Sequence, residues 1–311
     1  MDTPTHLYDQ IAGNKRKSAL LMISAVLLLA AVGFIFGLYY KSPISGMLTA
    51  SGFAAFYLLI TYYAGDKIVM LSMGAREISK PDNPQLFNVV EEMSIAAGIP
   101  MPKVYVIQSS ASNAFATGMS PDKASICVTT GILQILNREE LQAVVGHEMG
   151  HVKNFDSRFS VLMAVMVGAI ALMCDAFWRM NRRSRSSDKD GQAQAIILVI
   201  AIVLAILAPL AARLIQFSVS RKRELLADET SAELTRNPEA LARALEKIVS
   251  DHDPLDLANR GTQHLFITNP LKSGKDLQQL QAGEEKAGWF DTHPPIALRV
   301  RLLRKMAHTA G

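Results

Sequence analysis

The sequence contains few charged residues and only two cysteines. Asp, Glu, Lys and Arg make up 19% of its 311 residues, whereas about a quarter is usual in soluble globular proteins. Cys127 and Cys174 are too few for the disulfide framework of a small secreted protein, and they fit a reducing compartment. The sequence also lacks a basic stripe interleaved with aromatic residues, so we expect no nucleic-acid partner.

Half of the sequence is hydrophobic, and these residues are concentrated in four long runs. Residues 18–40 and 42–65 carry no charge, and each run exceeds the ~20 residues that a helix needs to cross a bilayer. Residues 159–174, extended by the residues that follow them, and residues 191–212 form a second pair. We therefore expect two transmembrane hairpins, the first with its turn at residues 43–46. A buried core helix is the alternative for the third run.

Basic residues beside the apolar runs indicate the orientation of the chain in the membrane. Lys15, Arg16 and Lys17 precede the first run, which places the N-terminus in the cytoplasm by the positive-inside rule. The loop of residues 179–189 is also basic, although a spanning second hairpin would put it outside the cell. The second hairpin therefore either spans the membrane, which we favour, or lies re-entrant or flat against it.

Short segments between the apolar runs predict a small β-sheet. Residues 103–108 alternate apolar and polar side chains, and residues 114–117 and 125–129 form two further candidate strands. Residues 118–123 contain Gly, Ser, Pro and Asp and are typical of a turn. We expect a meander or small sheet in a fold that is mainly α-helical, that is, an α+β class.

Several helices are expected around this sheet. Asn137 is a good N-cap and Glu140 follows three residues later, as in a capping box, so a helix should begin there and run to about Asn154. Three more helices are expected: one that carries Glu224 and Asp228, one that begins at Asn237 before Pro238, and one that follows Pro294 and Pro295.

The sequence His147-Glu148-Met149-Gly150-His151 lies on the capped helix. Residues four apart share a helix face, so the imidazoles of His147 and His151 can bind one tetrahedral ion. Glu148 need not bind the metal; it can take a proton from the attacking water and pass it to the leaving amine. The ligand types favour Zn²⁺. A pair of surface histidines is the alternative interpretation.

A catalytic zinc needs a third protein ligand and one open position. An extended motif would require His at position 157, where the chain has Ser157. A carboxylate on a second helix is the other option, with Glu224, Glu229 and Glu233 as candidates, although Glu224 could instead pair with a neighbouring arginine. Asp228 lies one turn after Glu224 and either orients a zinc-bound histidine or is a solvated acid.

Taken together, these motifs resemble the HtpX heat-shock family of membrane zinc metallopeptidases, distant relatives of the CAAX prenyl endoproteases. The resemblance covers most of the chain. It includes the two N-terminal spans, residues 113–118, the motif of residues 147–151, the second apolar pair, residues 223–228 and residues 292–295.

The resemblance implies a zincin-like (gluzincin) metalloprotease fold with one Zn²⁺ per chain and Glu224 as the third ligand. It also implies that the segment at Asn113 is an edge strand, to which a substrate peptide adds through main-chain hydrogen bonds; an ordinary turn residue is the alternative at Asn113. His293 is expected either to stabilise the developing oxyanion or to be a surface residue. The expected substrate-binding residues are Asn113, Ala114, Phe115 and Arg299.

These inferences predict a membrane-bound zinc endopeptidase that cleaves misfolded or damaged membrane proteins under stress. Its expected location is the bacterial inner membrane, as a multi-pass protein with the catalytic part facing the cytoplasm. The expected parts are a hairpin (1–70), a first protease segment (71–158), a second hairpin (159–218) and a second protease segment with the third ligand (219–311). A specific processing protease and a non-proteolytic zinc-binding scaffold or transporter are the alternatives.

Overall fold

A computed structural model describes the N-terminal half of the chain almost completely and the C-terminal half in part. The described residues are 7–39, 41–158, 160–162, 221–251, 253, 265–268, 278, 281–283 and 294–309. Most of the third apolar run, the whole fourth run and the basic loop between them lie outside these residues, and so does His293.

The first two helices form an antiparallel hairpin. Helix α1 spans Leu7–Tyr39 and α2 spans Pro43–Ser72. The expected turn at residues 43–46 is wrong: Pro43 begins α2, because its fixed φ and missing N–H suit the first helical position. The turn lies instead around Lys41, which has a left-handed φ of 58°. Within the described residues, α2 is the helix that is long and apolar enough to cross a membrane by its length and composition.

Four strands form one mixed sheet. They are β1 (Arg76–Glu77), β2 (Lys103–Ile107), β3 (Ala114–Thr117) and β4 (Ser125–Thr129), in the order β1-β2-β4-β3. The three strands expected from the sequence are present, but the sheet is not a meander. Strand β4 lies between β2 and β3 and runs parallel to β2, so β3 is left at the edge of the sheet.

Both faces of the sheet are buried. Alternate residues of a strand point to opposite faces. Val104, Val106 and their neighbours join a core formed with the helices, whereas Tyr105 and Ile107 join a second cluster with Met70 at the end of α2. The second long helix of the hairpin therefore ends directly against the sheet.

Helices cover the first face of the sheet. They are α3 (Pro84–Ala97), α4 (Thr130–Ile135), α5 (Arg138–Lys153), α6 (Arg221–Thr235), α7 (Pro238–Ser250) and α8 (Ile296–Thr309), with a short 3-10 turn at Pro121–Lys123. Helix α5 lies at the centre and packs against α3, α6, α7 and β3. The protein is mainly helical with a small mixed sheet.

Candidate metal centre

Helix α5 begins with the capping box that the sequence predicts. The side chain of Asn137 accepts a hydrogen bond from the backbone N–H of Glu140 at 2.9 Å, and the Glu140 carboxylate accepts one from the Asn137 N–H at 3.0 Å. Lys247 of α7 donates to the same Glu140 carboxylate at 2.7 Å. The contacts of Glu140 with Asn137 and Lys247 fix the start of α5. The helix then carries the histidine motif through the core.

Three side chains converge between α5 and α6. The Nε2 atoms of His147 and His151 are 3.2 Å apart, and their rings are nearly perpendicular, with an interplanar angle of 88°. The Glu224 carboxylate lies 3.9 Å from Nε2 of His147 and 3.5 Å from Nε2 of His151. The ligand atoms of these three residues all lie within 4.8 Å of one another. The other two candidates, Glu229 and Glu233, are exposed.

Glycines in α5 allow α6 to approach this closely. A side chain at Gly150 would lie 3.2 Å from Cα of Ala227 and 3.2 Å from Cβ of Thr230, and one at Gly146 would lie 3.2 Å from the Ser231 hydroxyl. These contacts are tighter than a side chain normally tolerates. The two glycines therefore set the separation between the histidines of α5 and Glu224 of α6.

The spacing of the three side chains fits a metal ion. Two ligands about 2.05 Å from a tetrahedral ion lie roughly 3.3 Å apart, which is close to the observed separations. The imidazole of His147 is completely buried, whereas His151 and Glu224 are 16% and 12% exposed. Solvent can therefore reach one side of the group, as a catalytic metal with an open position requires.

Glu148 supplies a further sign of a missing partner. Its carboxylate is buried, and one of its oxygens has no hydrogen-bond partner among the described residues. A buried polar atom without a partner is unfavourable. A water molecule or substrate next to the three convergent side chains would satisfy it, so this orphaned oxygen supports the fit of a metal centre.

The far side of His147 is held by an ion pair. Its Nδ1 lies 2.9 Å from Oδ1 of Asp228, and a carboxylate only accepts, so Nδ1 carries the hydrogen and Nε2 has a free lone pair. Arg299 donates two hydrogen bonds to Asp228, at 2.6 and 2.8 Å, and one to the carbonyl of Ile267 at 3.1 Å. Asp228 therefore orients the imidazole, and it is not a solvated acid.

His151 has an equivalent partner that the sequence analysis missed. Its Nδ1 lies 3.3 Å from Oδ2 of Asp156, and Asp156 is buried. Asp156 follows the end of α5, where Phe155 takes a left-handed φ of 60° and turns the chain back. The signal in the sequence is weak, because Asp156 lies outside the helix and its position depends on that turn.

Burial and charge set the protonation of the two imidazoles differently. Burial lowers the pKa of His147 to about 4, although Asp228 opposes the shift, so this ring is neutral and its Nε2 can bind a metal. Burial would also lower the pKa of His151, but the hydrogen bond to Asp156 and the charge of Glu224 raise it to about 9. Binding a metal ion at His151 therefore displaces a proton.

The carboxylates respond to the same burial. Burial raises the pKa of Glu148 to about 7, while the backbone N–H of Ala116 works against the shift by hydrogen-bonding the carboxylate. Burial would raise the pKa of Asp228 as well, but the adjacent Arg299 keeps it below its usual value. Glu148 can thus both take and release a proton near neutral pH, whereas Asp228 stays charged.

The position of Arg299 differs from the expected substrate contact. Its guanidinium is fully buried beneath the site, paired with Asp228 and 3.8 Å from the Glu224 carboxylate. A side chain enclosed in this way supports the ligands and does not face a peptide. His293, the other expected catalytic residue, lies outside the described residues.

Strand β3 lies at the edge of the sheet, as the resemblance implies, but residues 265–268 of the same chain cover part of that edge. The N–H of Ile267 donates to the carbonyl of Ala114 at 3.0 Å, and Phe115 forms an antiparallel bridge with Phe266. The Asn113 amide is buried and donates to the carbonyl of Thr268 at 3.1 Å. Asn113 is therefore a structural anchor of this contact and not an ordinary exposed turn residue.

The arrangement as a whole has the parts of a metallopeptidase site. Two imidazoles, each with a carboxylate beside Nδ1, and the Glu224 carboxylate converge on a solvent-accessible point. A further buried carboxylate, with a pKa of about 7, lies beside them. A metal ion there would polarise a peptide carbonyl, and the adjacent carboxylate could move the proton that hydrolysis requires. This is the class of protein that the fold and site define.

Comparisons with known proteins agree with this class. The profile of peptidase family M48 matches residues 80–307, and the chain belongs to that family. It is 39% identical over 306 residues to a protease HtpX homolog of Streptococcus gordonii, which covers 96% of this chain and 100% of that protein. Homologs from Listeria monocytogenes and Thermoanaerobacter pseudethanolicus are each 40% identical, over 312 and 305 residues. They also cover 96% of this chain, and 100% and 98% of their own lengths.

Among solved structures, a crystal structure of Ste24p from S. mikatae matches 94% of this chain and 66% of that chain, at 18% identity and a TM-score of 0.49. The family and the HtpX homologs establish that the protein is a metallopeptidase. They also confirm the HtpX-type resemblance on which the sequence analysis relied.

Proposed function

We propose that this metallopeptidase is a multi-pass membrane zinc endopeptidase in which His147, His151 and Glu224 hold the zinc. The observation that carries the proposal is the convergence of these three side chains, 3.2 to 3.9 Å apart, beside the buried carboxylate of Glu148. Two imidazoles and one carboxylate, with one open side, are a ligand set that catalytic zinc sites use.

The bound zinc would supply Lewis acidity, which polarises the scissile carbonyl and makes water more acidic. Glu148 is the general base: it takes a proton from the attacking water and delivers it to the leaving amine. Its pKa of about 7 suits both steps, because the carboxylate accepts the proton readily and gives it up again near neutral pH. We assign to His293 the stabilisation of the developing oxyanion, as the family resemblance implies.

Substrate is proposed to bind along β3 as an added strand, which recognises backbone more than side chains. Ala114 and Phe115 present this edge, and Ala116 lies beside Glu148 through its N–H. Because Ile267 already bonds to the Ala114 carbonyl, a peptide must either replace that contact or pair beyond it. This mode of binding suits unfolded segments, which can adopt an extended conformation without breaking other structure.

The hairpin of α1 and α2 is proposed to lie in the bilayer. It exposes large apolar side chains that would be unfavourable in water, among them Leu20, Leu27, Ile44, Leu48 and Phe53, each more than half exposed. The end of α2 packs against the sheet through Met70. The active site would then lie next to the membrane surface, facing the cytoplasm, where it meets exposed segments of misfolded or damaged membrane proteins.

The decisive test is the Glu148→Gln variant of the full chain, purified in detergent. We expect it to retain one zinc per chain and to lose casein cleavage by ~10²-fold or more, because the ligands remain while the base is lost. Glu233→Gln is the matched control, since it removes an exposed carboxylate of α6 outside the site. Normal cleavage by Glu148→Gln, or a wild-type chain that binds no zinc, would contradict the assignment.

Substrate breadth needs a separate measurement. Cells that carry wild type or Glu148→Gln can be compared for the membrane-protein fragments that they accumulate under stress. A broad set of stabilised proteins is expected for quality control. A single stabilised protein would instead indicate a dedicated processing protease.

A further inference from the structure

His147 and His151 each have a buried carboxylate beside Nδ1, while their Nε2 atoms lie near Glu224. For His151 this partner is Asp156, which is 4% exposed and stands just after the end of α5. The left-handed Phe155 brings it back toward the ring. A short turn with a left-handed residue costs backbone free energy, so it needs contacts that hold it in place.

Those contacts come from the first long helix of the hairpin. The side-chain amide of Asn14 donates to Oδ1 of Asp156 at 2.7 Å and to the backbone carbonyl of Asn154 at 2.9 Å. The Lys15 ammonium lies 4.4 Å from the centre of the Phe155 ring, within the range of a cation–π contact. Residues 14 and 15 of α1 thus hold all three residues of the turn.

The bond from Asn14 is the shortest described contact to that oxygen of Asp156. Arg223 of α6 lies 3.6 Å from the same oxygen, which is longer than a normal hydrogen bond. Asn14 is itself 7% exposed, so its amide is directed into the protein and not into solvent. Its two donor hydrogens are both used on the turn, which orients the carboxylate while adding no charge.

We propose that Asn14 is a positioning residue of the metal centre: it fixes Asp156, and Asp156 fixes the imidazole of His151. This inference rests on the proposed zinc site. It makes the first hairpin helix a part of that site, although Asn14 precedes His151 by more than a hundred residues. The alternative is that Asn14 only docks α1 on the protease part, independently of His151.

A double-mutant cycle on zinc affinity separates the two roles. Full-length Asn14→Ala, Asp156→Ala and the double variant are purified in detergent, and zinc affinity is measured by competition with a chelator. We expect Asp156→Ala to weaken zinc binding about 10- to 100-fold, as removal of a ligand's hydrogen-bond partner typically does. Asn14→Ala should weaken it through Asp156, and so by no more than Asp156→Ala does. The double variant should bind no more weakly than Asp156→Ala. The cobalt-substituted Asn14→Ala protein should show the altered d–d spectrum of the Asp156→Ala protein.

The matched control is Ser18→Ala. Ser18 lies one turn further along α1, is fully buried, and its hydroxyl has no hydrogen-bond partner among the described residues. It therefore controls for a change of a buried polar side chain on α1 that does not touch Asp156, and wild-type zinc affinity is expected. If Asn14→Ala does not fold, Asn14→Ser takes its place in the cycle, because serine keeps a polar group but is one atom too short to reach Asp156.

Two results would overturn the inference: wild-type zinc affinity in the Asn14 variant, or losses that multiply in the double variant. In that case zinc binding and Glu148-dependent cleavage by the wild type would remain, and only the role of Asn14 would be lost. A wild-type chain without zinc would overturn this inference together with the proposed function.

Discussion

Asp228 lies 2.9 Å from Nδ1 of His147 and accepts two hydrogen bonds from Arg299 on its other side. The three groups are buried, so the carboxylate accepts hydrogen bonds from a neutral imidazole and a guanidinium cation where water cannot replace either donor. Arg299 carries its charge permanently. Any change at Asp228 therefore affects both the orientation of His147 and the compensation of the buried Arg299 charge. A second substitution at Arg299 separates these two effects.

For Asp228→Asn we expect zinc affinity to fall about 10- to 100-fold, because the imidazole loses its charged partner. We also expect a loss of roughly 3–5 kcal/mol in the free energy of unfolding, because the buried Arg299 loses its nearest counter-ion. Only the more distant Glu224 carboxylate, at 3.8 Å, remains beside it. The double variant Asp228→Asn/Arg299→Leu removes both charges, so its unfolding temperature should rise back toward wild type while zinc affinity stays low. Zinc titration and thermal unfolding in detergent measure the two effects. Recovery of zinc affinity in the double variant would contradict the orienting role of Asp228.

The close packing at Gly150 leads to a second prediction. A side chain there would press on Ala227 and Thr230 of α6, and Glu224 lies one turn before Ala227. Gly150→Val should therefore move Glu224 away from the histidines and weaken zinc binding about tenfold or more, since overpacking costs ~1–3 kcal/mol. Gly150→Ala should have a smaller effect, because α6 need yield by only a few tenths of an ångström.

Gly52→Val is the control for this series, because among the described residues no atom beyond its own stretch of helix lies within 4 Å of the added Cβ. Zinc affinity is measured for all three variants under the same conditions. Equal affinities for Gly150→Val and Gly52→Val would show that helix separation does not limit the site.

The sequence predicts the parts of the site whose signals are local. The capping box of Asn137 and Glu140, the i and i+4 spacing of the histidines, and the N-cap at Asn237 are each complete within a few residues, and the structure has all three. The third ligand needed more: spacing left three glutamates open, and the family resemblance singled out Glu224. The structure then places Glu224 next to both imidazoles, with the other two exposed.

Other parts depend on tertiary contacts that no local pattern contains. The partner of Arg299 is 71 residues away on α6, so the sequence does not show that the guanidinium is buried. The pairing of Asn14 with Asp156 joins residues 142 apart through a left-handed turn. The sheet order is similar: hydrophobic alternation identifies β2, β3 and β4, but not that β4 lies in the middle.

The proposed orientation of the hairpin can be tested by labelling single cysteines in a Cys174→Ser background. Burial raises the pKa of the Cys127 thiol well above its usual value, so this residue should not react. Lys41 is exposed in the turn between α1 and α2, and Lys80 is exposed before α3. We expect a membrane-impermeant maleimide to label Lys41→Cys in intact spheroplasts and Lys80→Cys only after the membrane is opened. Labelling of Lys80→Cys in intact spheroplasts would contradict a cytoplasmic active site.

The packing of the hairpin itself yields the last prediction. A side chain at Gly46 would collide with the backbone carbonyl of Gly33, and one at Gly33 would collide with that of Gly46, so the two helices approach at these glycines. Close approach at small residues is a main source of stability between helices in lipid. Gly46→Val should therefore force α1 and α2 apart and lower the unfolding temperature in detergent, whereas Gly52→Val, six residues further along α2, should leave it near wild type. If the two variants unfold at the same temperature, the hairpin is not held together at this crossing.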